Sequence, residues 1–196
     1  RTKVVALTHQ SNVLGTVTPV RRVADAAHAV GAVAVLDACQ SVPHLPVNVQ
    51  ELGADFLVFS GHKMLGPTGI GALYGRAELL EAMPPFMTGG DVASDVGFGE
   101  VVWEPAPLRF EAGTPAFVEA IGLGAAIEYL QVIGMARVRA HERELVAYAL
   151  EQLGALPGVR LFGPRDPEQR SGVVTFTVDG ISPTDLAVAL DGHGIA

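Results

Sequence analysis

Phe56-Leu57-Val58-Phe59-Ser60-Gly61-His62-Lys63 is an apolar run that ends abruptly in a hydroxyl, a glycine, an imidazole and an amine. The four apolar residues read as a buried strand. Gly66-Pro67-Thr68-Gly69-Ile70-Gly71 follows as a glycine-rich turn, and Ala72-Leu73-Tyr74 as a second short apolar run. Lysine is rarely buried without a partner, so Lys63 at the mouth of a strand calls for a reason. Desolvation would favour its neutral amine, which can form a Schiff base with an aldehyde. A surface lysine in a turn fits the same motif, and the motif alone leaves both readings open.

Upstream, Val4 to Leu7 reads as a first strand and Ala32 to Leu36 as a second. Between them Thr18 is expected to cap a helix with Pro19 at its first position. That helix runs through Val23, Ala26, Ala27 and Val30 and stops at Gly31. The second strand ends in Asp37-Ala38-Cys39-Gln40-Ser41. Strand, helix, strand, connection, strand predicts a largely parallel α/β sheet with helices on its faces and right-handed crossovers. Ligands of such sheets sit beyond the carboxyl ends of the strands. Polar clusters near Asn12, Asp37 and Lys63 each follow such an end, so they are expected to converge on one crevice.

Downstream, Pro84-Pro85 closes a short helix, and Met87 to Pro115 is rich in Gly and Pro, with a strand at Glu100-Val101-Val102-Trp103. Phe117 to Val132 is an apolar helix whose Gly122 and Gly124 predict close packing on another backbone. Ala136 to Leu153 is an amphipathic helix with Val138, Leu145, Val146, Ala149, Leu150 and Leu153 on its apolar side. Its charged residues Arg137, Arg139, Glu142, Arg143 and Glu144 read as a solvated face. Strands at Gly158–Phe162 and Gly172–Val178 and a helix from Ser182 to Leu190 complete the chain. A boundary near Gly134 divides residues 1–133, the C-terminal part of a large α/β domain, from residues 134–196, part of a smaller α+β domain. The chain opens on Arg1 within a strand and closes without a final element, so a fragment lacking both ends is expected.

Of the 196 residues, 49% are hydrophobic and 17% charged, which supports a sizeable core rather than disorder. A net charge of −8 argues against nucleic acid or an anionic membrane as a partner. No apolar run approaches the length of a membrane span. The six histidines show no metal-ligand spacing, so no metal is expected. His28, His44, His141 and His193 read as structural. Cys39 is the single cysteine, which rules out a disulfide within the chain and points to a reducing, cytoplasmic setting.

Asp37 directly follows a buried strand, where a carboxylate is costly unless paired or hydrogen-bonded. It could cap the next turn, or it could hold a protonated heterocyclic nitrogen. With Lys63 it fits pyridoxal 5'-phosphate: an anion for the pyridinium and an amine for the aldehyde. Ser60 and His62 beside the lysine could hold a phosphate with the help of backbone amides. Gly66 to Gly71 is neither a P-loop nor a dinucleotide fingerprint. Cys39 reads as a small buried residue rather than a nucleophile.

The runs Ser11-Asn12-Val13-Leu14-Gly15-Thr16, Asp37 with Gln40, Ser60-Gly61-His62-Lys63 with Gly66 to Gly71, and Arg109-Phe110-Glu111-Ala112-Gly113-Thr114-Pro115 together resemble the class V aminotransferase family of pyridoxal-phosphate enzymes. Within it the chain is most similar to the group II cysteine desulfurases of the SUF type. The resemblance covers the chain in order. It implies the pyridoxal-phosphate-dependent transferase fold type I, with a mostly parallel sheet flanked by helices and part of a smaller α+β C-terminal domain. It implies that Lys63 bonds the cofactor and moves the Cα proton, that Asp37 pairs with the ring nitrogen and that Gln40 bonds the ring hydroxyl. Ser60 and His62 would bind the phosphate, and Thr114 would complete the phosphate site of a neighbouring subunit in a homodimer. Asn12 would contact the substrate carboxylate.

The implied reaction takes L-cysteine to L-alanine and leaves a persulfide that a SUF-type acceptor draws on for iron–sulfur cluster assembly. Selenocysteine lysis, another class V reaction, or a non-catalytic truncated module are the alternatives. The family's persulfide cysteine follows a run like Gly194-Ile195-Ala196, and its ring-stacking histidine lies upstream of the matched runs. The 196-residue piece is therefore expected to be inactive in desulfuration. Cys39 stands where the family has a small residue, and Thr88-Gly89-Gly90 replaces a triple-glycine loop.

Overall fold

In the computed structural model, which describes residues 1–195, four strands share one sheet: β1 Val4–Thr8, β2 Val33–Asp37, β3 Phe56–Ser60 and β4 Gly71–Gly75. Ala196, the last residue of the Gly194-Ile195-Ala196 run, lies outside the described residues. β1, β2 and β3 are parallel, and β4 returns antiparallel beside β3. The return is tight because Gly71 sits opposite Ser60. A Cβ on Gly71 would stand 2.5 Å from the Phe59 carbonyl oxygen, a backbone atom that cannot swing aside. Gly71→Ala is expected to cost about 1–3 kcal/mol of stability by forcing β4 off β3. Urea denaturation of the variant measures this, and an unchanged midpoint would refute it.

Helix α1, Val20–His28, crosses from β1 to β2 and lays its small residues on the sheet. Ala24 and Ala27 meet Ala32 and Ala34, a contact close enough for a helix only because each side chain is a methyl group. Beside it Val20, Leu36, Ala38, Ala54 and Leu57 form a second buried cluster. Full burial of a side chain such as Leu36 contributes about 1.5–3 kcal/mol. The expected Thr18 cap does not form. Pro19 occupies the capping position, no side chain bonds the first turn, and the Val20 N–H bonds the Thr18 carbonyl at 2.8 Å. The helix also stops before Val30, which is exposed.

The short helix α2, Val49–Leu52, is capped by Asn48, whose side chain accepts the N–H groups of Gln50 and Glu51. Helix α3, Ala77–Ala82, follows β4. In the Gly- and Pro-rich segment the expected strand is β6, Val101–Trp103, and it pairs with an unexpected partner, β5, Ala93–Val96. Arg109 anchors this segment, donating to the carbonyls of Glu104 (2.8 Å), Glu81 (3.0 Å) and Met83 (3.2 Å).

Helix α4, Phe117–Ile133, packs Leu123 and Leu130 on Met64. Its two glycines do not play the expected role. Gly122 rests against the ring of Pro67, where a Cβ would come within 3.1 Å, and Gly124 faces open space. Gly134, at φ +88°, separates α4 from α5, Met135–Gly154, which turns away by 71°. Val146 and Leu150 of α5 bury Leu161 of an antiparallel hairpin, β7 Val159–Phe162 and β8 Thr175–Val178. Leu145, expected on the apolar side, is exposed. The final helix α6, Pro183–Asp191, starts at Ser182, which accepts the Asp185 N–H at 3.1 Å and donates to its carboxylate at 2.7 Å. No single helix among the described residues is long and apolar enough to cross a membrane.

Candidate functional site

The carboxyl ends of β1, β2 and β3 lie side by side because the strands are parallel and in register, Thr8 opposite Asp37 and Asp37 opposite Val58. Side chains alternate between faces along a strand. Thr8, Asp37, Val58 and Ser60 therefore share one face, while Leu36 and Leu57 point into the cluster under α1. The face that carries Asp37 is the less covered one: Val4 on β1 and Leu73 on β4 are both exposed there. Asp37 and Ser60 stand on neighbouring strands two residues apart, about 8 Å between α-carbons from strand spacing and rise.

Asp37 is the last residue of β2 rather than the first beyond it, and its carbonyl accepts the His9 N–H at 2.9 Å. Its side chain is exposed, so its charge stays hydrated and the burial cost expected from the sequence does not arise. One carboxylate oxygen accepts the Cys39 N–H at 2.9 Å. Cys39 is half-buried, and its sulfur lies 3.5 Å from the Ser60 hydroxyl, which ties the ends of β2 and β3 together.

Beyond Ser60, a single 3-10 turn, Gly61–Lys63, carries His62 and Lys63 past the strand end. Gly61 is buried under Ile70 and Pro67, while His62 and Lys63 are both exposed. The desolvated amine anticipated for Lys63 is therefore not found. The turn lifts the side chain out of the sheet into solvent, and it forms no ion pair with another described residue.

The other expected site residues are more dispersed. Gln40 is half-buried on the turn after Asp37 and, with Gln10, His44, Glu142 and Ser171, lines a neighbouring cavity of about 350 Å³. Asn12 is exposed in the loop that follows β1, with no hydrogen bond to Asp37 or Lys63 among the described residues. Thr114 is exposed at a separate hollow of about 260 Å³ that it shares with Phe86, Met87 and Phe110. The structure thus gathers Asp37, Ser60 and the His62–Lys63 turn, with Gln40 on the turn after Asp37, and places Asn12 in the loop that leaves β1 beside Asp37 and Thr114 at a hollow of its own.

Several charged groups that sequence reasoning passed over prove to be buried or paired. Asp55 is 3% exposed and accepts the Ala34 N–H at 2.7 Å and His28 at 2.8 Å, with Arg76 at 3.2 Å. Burial alone would raise its pKa, but the Ala34 N–H, His28 and Arg76 overcome that and hold it below the usual value. His9 is buried, its Nδ1 has no hydrogen-bond partner among the described residues, and burial lowers its pKa. Of the expected solvated face of α5, Arg137, Arg143 and Glu144 are exposed, while Arg139 and Glu142 are partly buried and bonded. Arg139 donates to the carbonyls of Arg170, Pro167 and Glu168, and Glu142 meets His44 at 2.5 Å. A carboxylate at the entry to a strand, as at Asp55, is the one sequence signal that could have marked that network.

A family model described as aminotransferase class-V matches residues 1–196. A probable cysteine desulfurase 2 of Mycobacterium leprae is 55% identical over the whole chain, which covers 47% of its length. A cysteine desulfurase of Synechococcus elongatus is 48% identical over the whole chain and 31% of its own length. Among solved structures, the cysteine desulfurase CsdA from Escherichia coli superposes with a TM-score of 0.92 at 39% identity, over 99% of this chain and 48% of that one. A cystine C–S lyase, C-DES, in complex with its product cysteine persulfide superposes at 0.81 and 28% identity, over 98% of this chain and 52% of that one. The chain spans about half the length, or less, of these proteins.

Proposed function

This chain belongs to the aminotransferase class-V family, and on that footing we propose that its protein is a pyridoxal-phosphate-dependent cysteine desulfurase. The fold is the transferase fold type I expected from the sequence. The observation that carries the functional reading is the placement of Asp37 and the Ser60–Lys63 turn at adjacent parallel strand ends, on a chain 55% identical throughout to a probable cysteine desulfurase.

The donor set at these strand ends fits pyridoxal phosphate: an acid and an amide on the reach Asp37–Gln40, and a hydroxyl, an imidazole and an amine on the reach Ser60–Lys63. When bound, that cofactor withdraws electrons from the substrate carbon and so acidifies its proton. Asp37 would keep the ring nitrogen protonated by holding a negative charge against it. Gln40 would donate to the ring hydroxyl, and the Ser60 hydroxyl and His62 would donate to the phosphate. The Lys63 amine, free of any ion pair among the described residues, would bond the cofactor's aldehyde carbon and then carry the Cα proton of the substrate. Asn12 would donate to the carboxylate of L-cysteine. Thr114, at a hollow of its own, would donate to the phosphate bound by a second copy, which makes the protein a homodimer.

On this reading the products are L-alanine and a persulfide that a SUF-type acceptor collects for iron–sulfur cluster assembly in the cytoplasm. The chain divides at Gly134 into parts of a large cofactor-binding domain and a small C-terminal one. The relatives' sequence outside the matched region is the proposed cover for the open sheet face and for the Lys63 amine. Incubation of the full-length protein with pyridoxal phosphate, borohydride reduction and peptide mapping test the cofactor site. The label is expected on the peptide holding Lys63, and labelling elsewhere, or none, would sink the reading.

A further inference from the structure

We infer that Arg170, in the C-terminal hairpin region, is a positioning residue for substrate binding: it fixes the loop that carries Asn12. The inference rests on the reading of Asn12 as the contact to the substrate carboxylate. It starts from how that loop, residues 9–18, is held. At its root the His9 N–H bonds Asp37, the Thr18 N–H bonds the His9 carbonyl, and the Ser11 N–H bonds the Thr16 carbonyl. Inside it, the Ser11 hydroxyl oxygen accepts the N–H groups of Val13 (3.2 Å) and Leu14 (3.1 Å).

The loop's outward carbonyls are met from the far end of the chain. The Thr175 hydroxyl donates to Val13, Arg170 donates to Leu14 through Nε at 3.3 Å and Nη2 at 3.0 Å, and the Ser171 N–H donates to Gly15 at 2.9 Å. Three consecutive carbonyls directly after Asn12 are thus satisfied from the region of β7 and β8. The Val17 N–H returns a bond to the Gln169 carbonyl at 3.0 Å.

Arg170 is fully buried and also donates to the Phe162 carbonyl, so one guanidinium joins the loop to β7. A buried cation surrounded by neutral carbonyls is an expensive link, and a well-packed apolar side chain would hold the two parts together at lower cost. What the guanidinium adds is direction, since its fork fixes where the Leu14 carbonyl lies. Gly15 shows how closely the loop is seated. It lies at φ +71°, and a Cβ there would come within 2.8 Å of the Val173 carbonyl and 3.2 Å of the Arg170 side chain. Asn12 itself is exposed, one residue before this clamped stretch.

The test uses the full-length protein loaded with pyridoxal phosphate and three variants, Arg170→Met, Arg170→Lys and Thr175→Val. Arg170→Met is expected to raise KM for L-cysteine about tenfold, as loss of a charge-assisted hydrogen bond would, with kcat within about twofold. Hydrogen exchange across residues 9–18 is expected to quicken, and Arg170→Lys to restore part of both effects. Thr175→Val, a near-isosteric change, should shift KM and loop exchange the same way by a smaller factor, and it carries the test if Arg170→Met does not fold. Unchanged exchange in residues 9–18, or a fall in kcat at constant KM, would overturn the inference. Failure of the cofactor reading would show separately, as no label on Lys63 in the unsubstituted protein. Loop exchange measured without cofactor would still decide whether Arg170 holds the loop.

Discussion

Lys63→Ala in the full-length protein is expected to lower alanine formation from L-cysteine by at least about a thousandfold, because on the proposed function one side chain would supply both the covalent attachment of the cofactor and the proton transfer. Without cofactor, the same change should cost less than about 1 kcal/mol of stability, because no hydrogen bond that holds the turn uses the Lys63 side chain. The structure supports that asymmetry. The lysine is exposed at the end of a single 3-10 turn and has no ion-pair partner among the described residues. The turn is held by the Gly61 N–H on the Ile70 carbonyl at 2.8 Å and the Met64 N–H on the Gly61 carbonyl at 3.0 Å, neither of which needs the Lys63 side chain. Lys63→Arg should not rescue activity, since a guanidinium stays protonated and cannot attack an aldehyde. Parallel measurement of alanine formation and urea denaturation checks both halves. Activity of Lys63→Ala within tenfold of the unsubstituted protein would remove Lys63 from the chemistry.

The part of the fold that sequence reading reached is the part governed by local pattern. β1, β2 and β3 are short apolar runs bounded by polar and Gly residues, and α4 and α5 are long, so their existence and order were legible. Their ends were less so. Asp37 belongs to β2 because its carbonyl accepts the His9 N–H, a bond that an apolar count does not register. β5 was missed because Ala93-Ser94-Asp95-Val96 shows no apolar alternation and becomes a strand only through its partner β6. At the site, the grouping of Asp37 with Ser60 and Lys63 follows from parallel strand ends and was accessible. The exposure of Lys63 was not, because a four-residue motif does not say what lies above it. Least accessible were contacts between distant residues. Arg170 meets Leu14 across 156 positions and Glu142 meets His44 across 98, and nothing in their own neighbourhoods sets them apart from solvated charges.

Asp55→Ala should destabilise the fold by about 3–4 kcal/mol, the range for removing one member of a buried charged network. Asp55 precedes β3, yet its carboxylate reaches the second residue of β2 through Ala34, the last residue of α1 through His28, and the residue after β4 through Arg76. Three elements are thereby tied to a fourth by one side chain. Alanine would leave the buried Ala34 N–H without an acceptor, which alone costs about 1–3 kcal/mol. The Arg76 arm contributes little, because that side chain is 48% exposed and water screens it. Asp55→Asn keeps an acceptor for Ala34 but removes the charge, so a smaller loss of about 1–2 kcal/mol is expected.

The same network fixes the pH dependence. The carboxyl of Asp55 is held below its ordinary value of 3.8 in the folded protein. The unfolded chain therefore takes up the proton first as pH falls. The stabilisation is fully present above the unfolded value and is lost as pH drops from there through the folded one. The stability gap between the unsubstituted protein and Asp55→Asn should be constant near neutrality and close below about pH 4. Urea denaturation at pH 7, followed by a titration downward, measures both quantities. An Asp55→Ala variant within 1 kcal/mol of the unsubstituted protein, or a gap that widens in acid, would show that another group holds α1, β2 and β4 together.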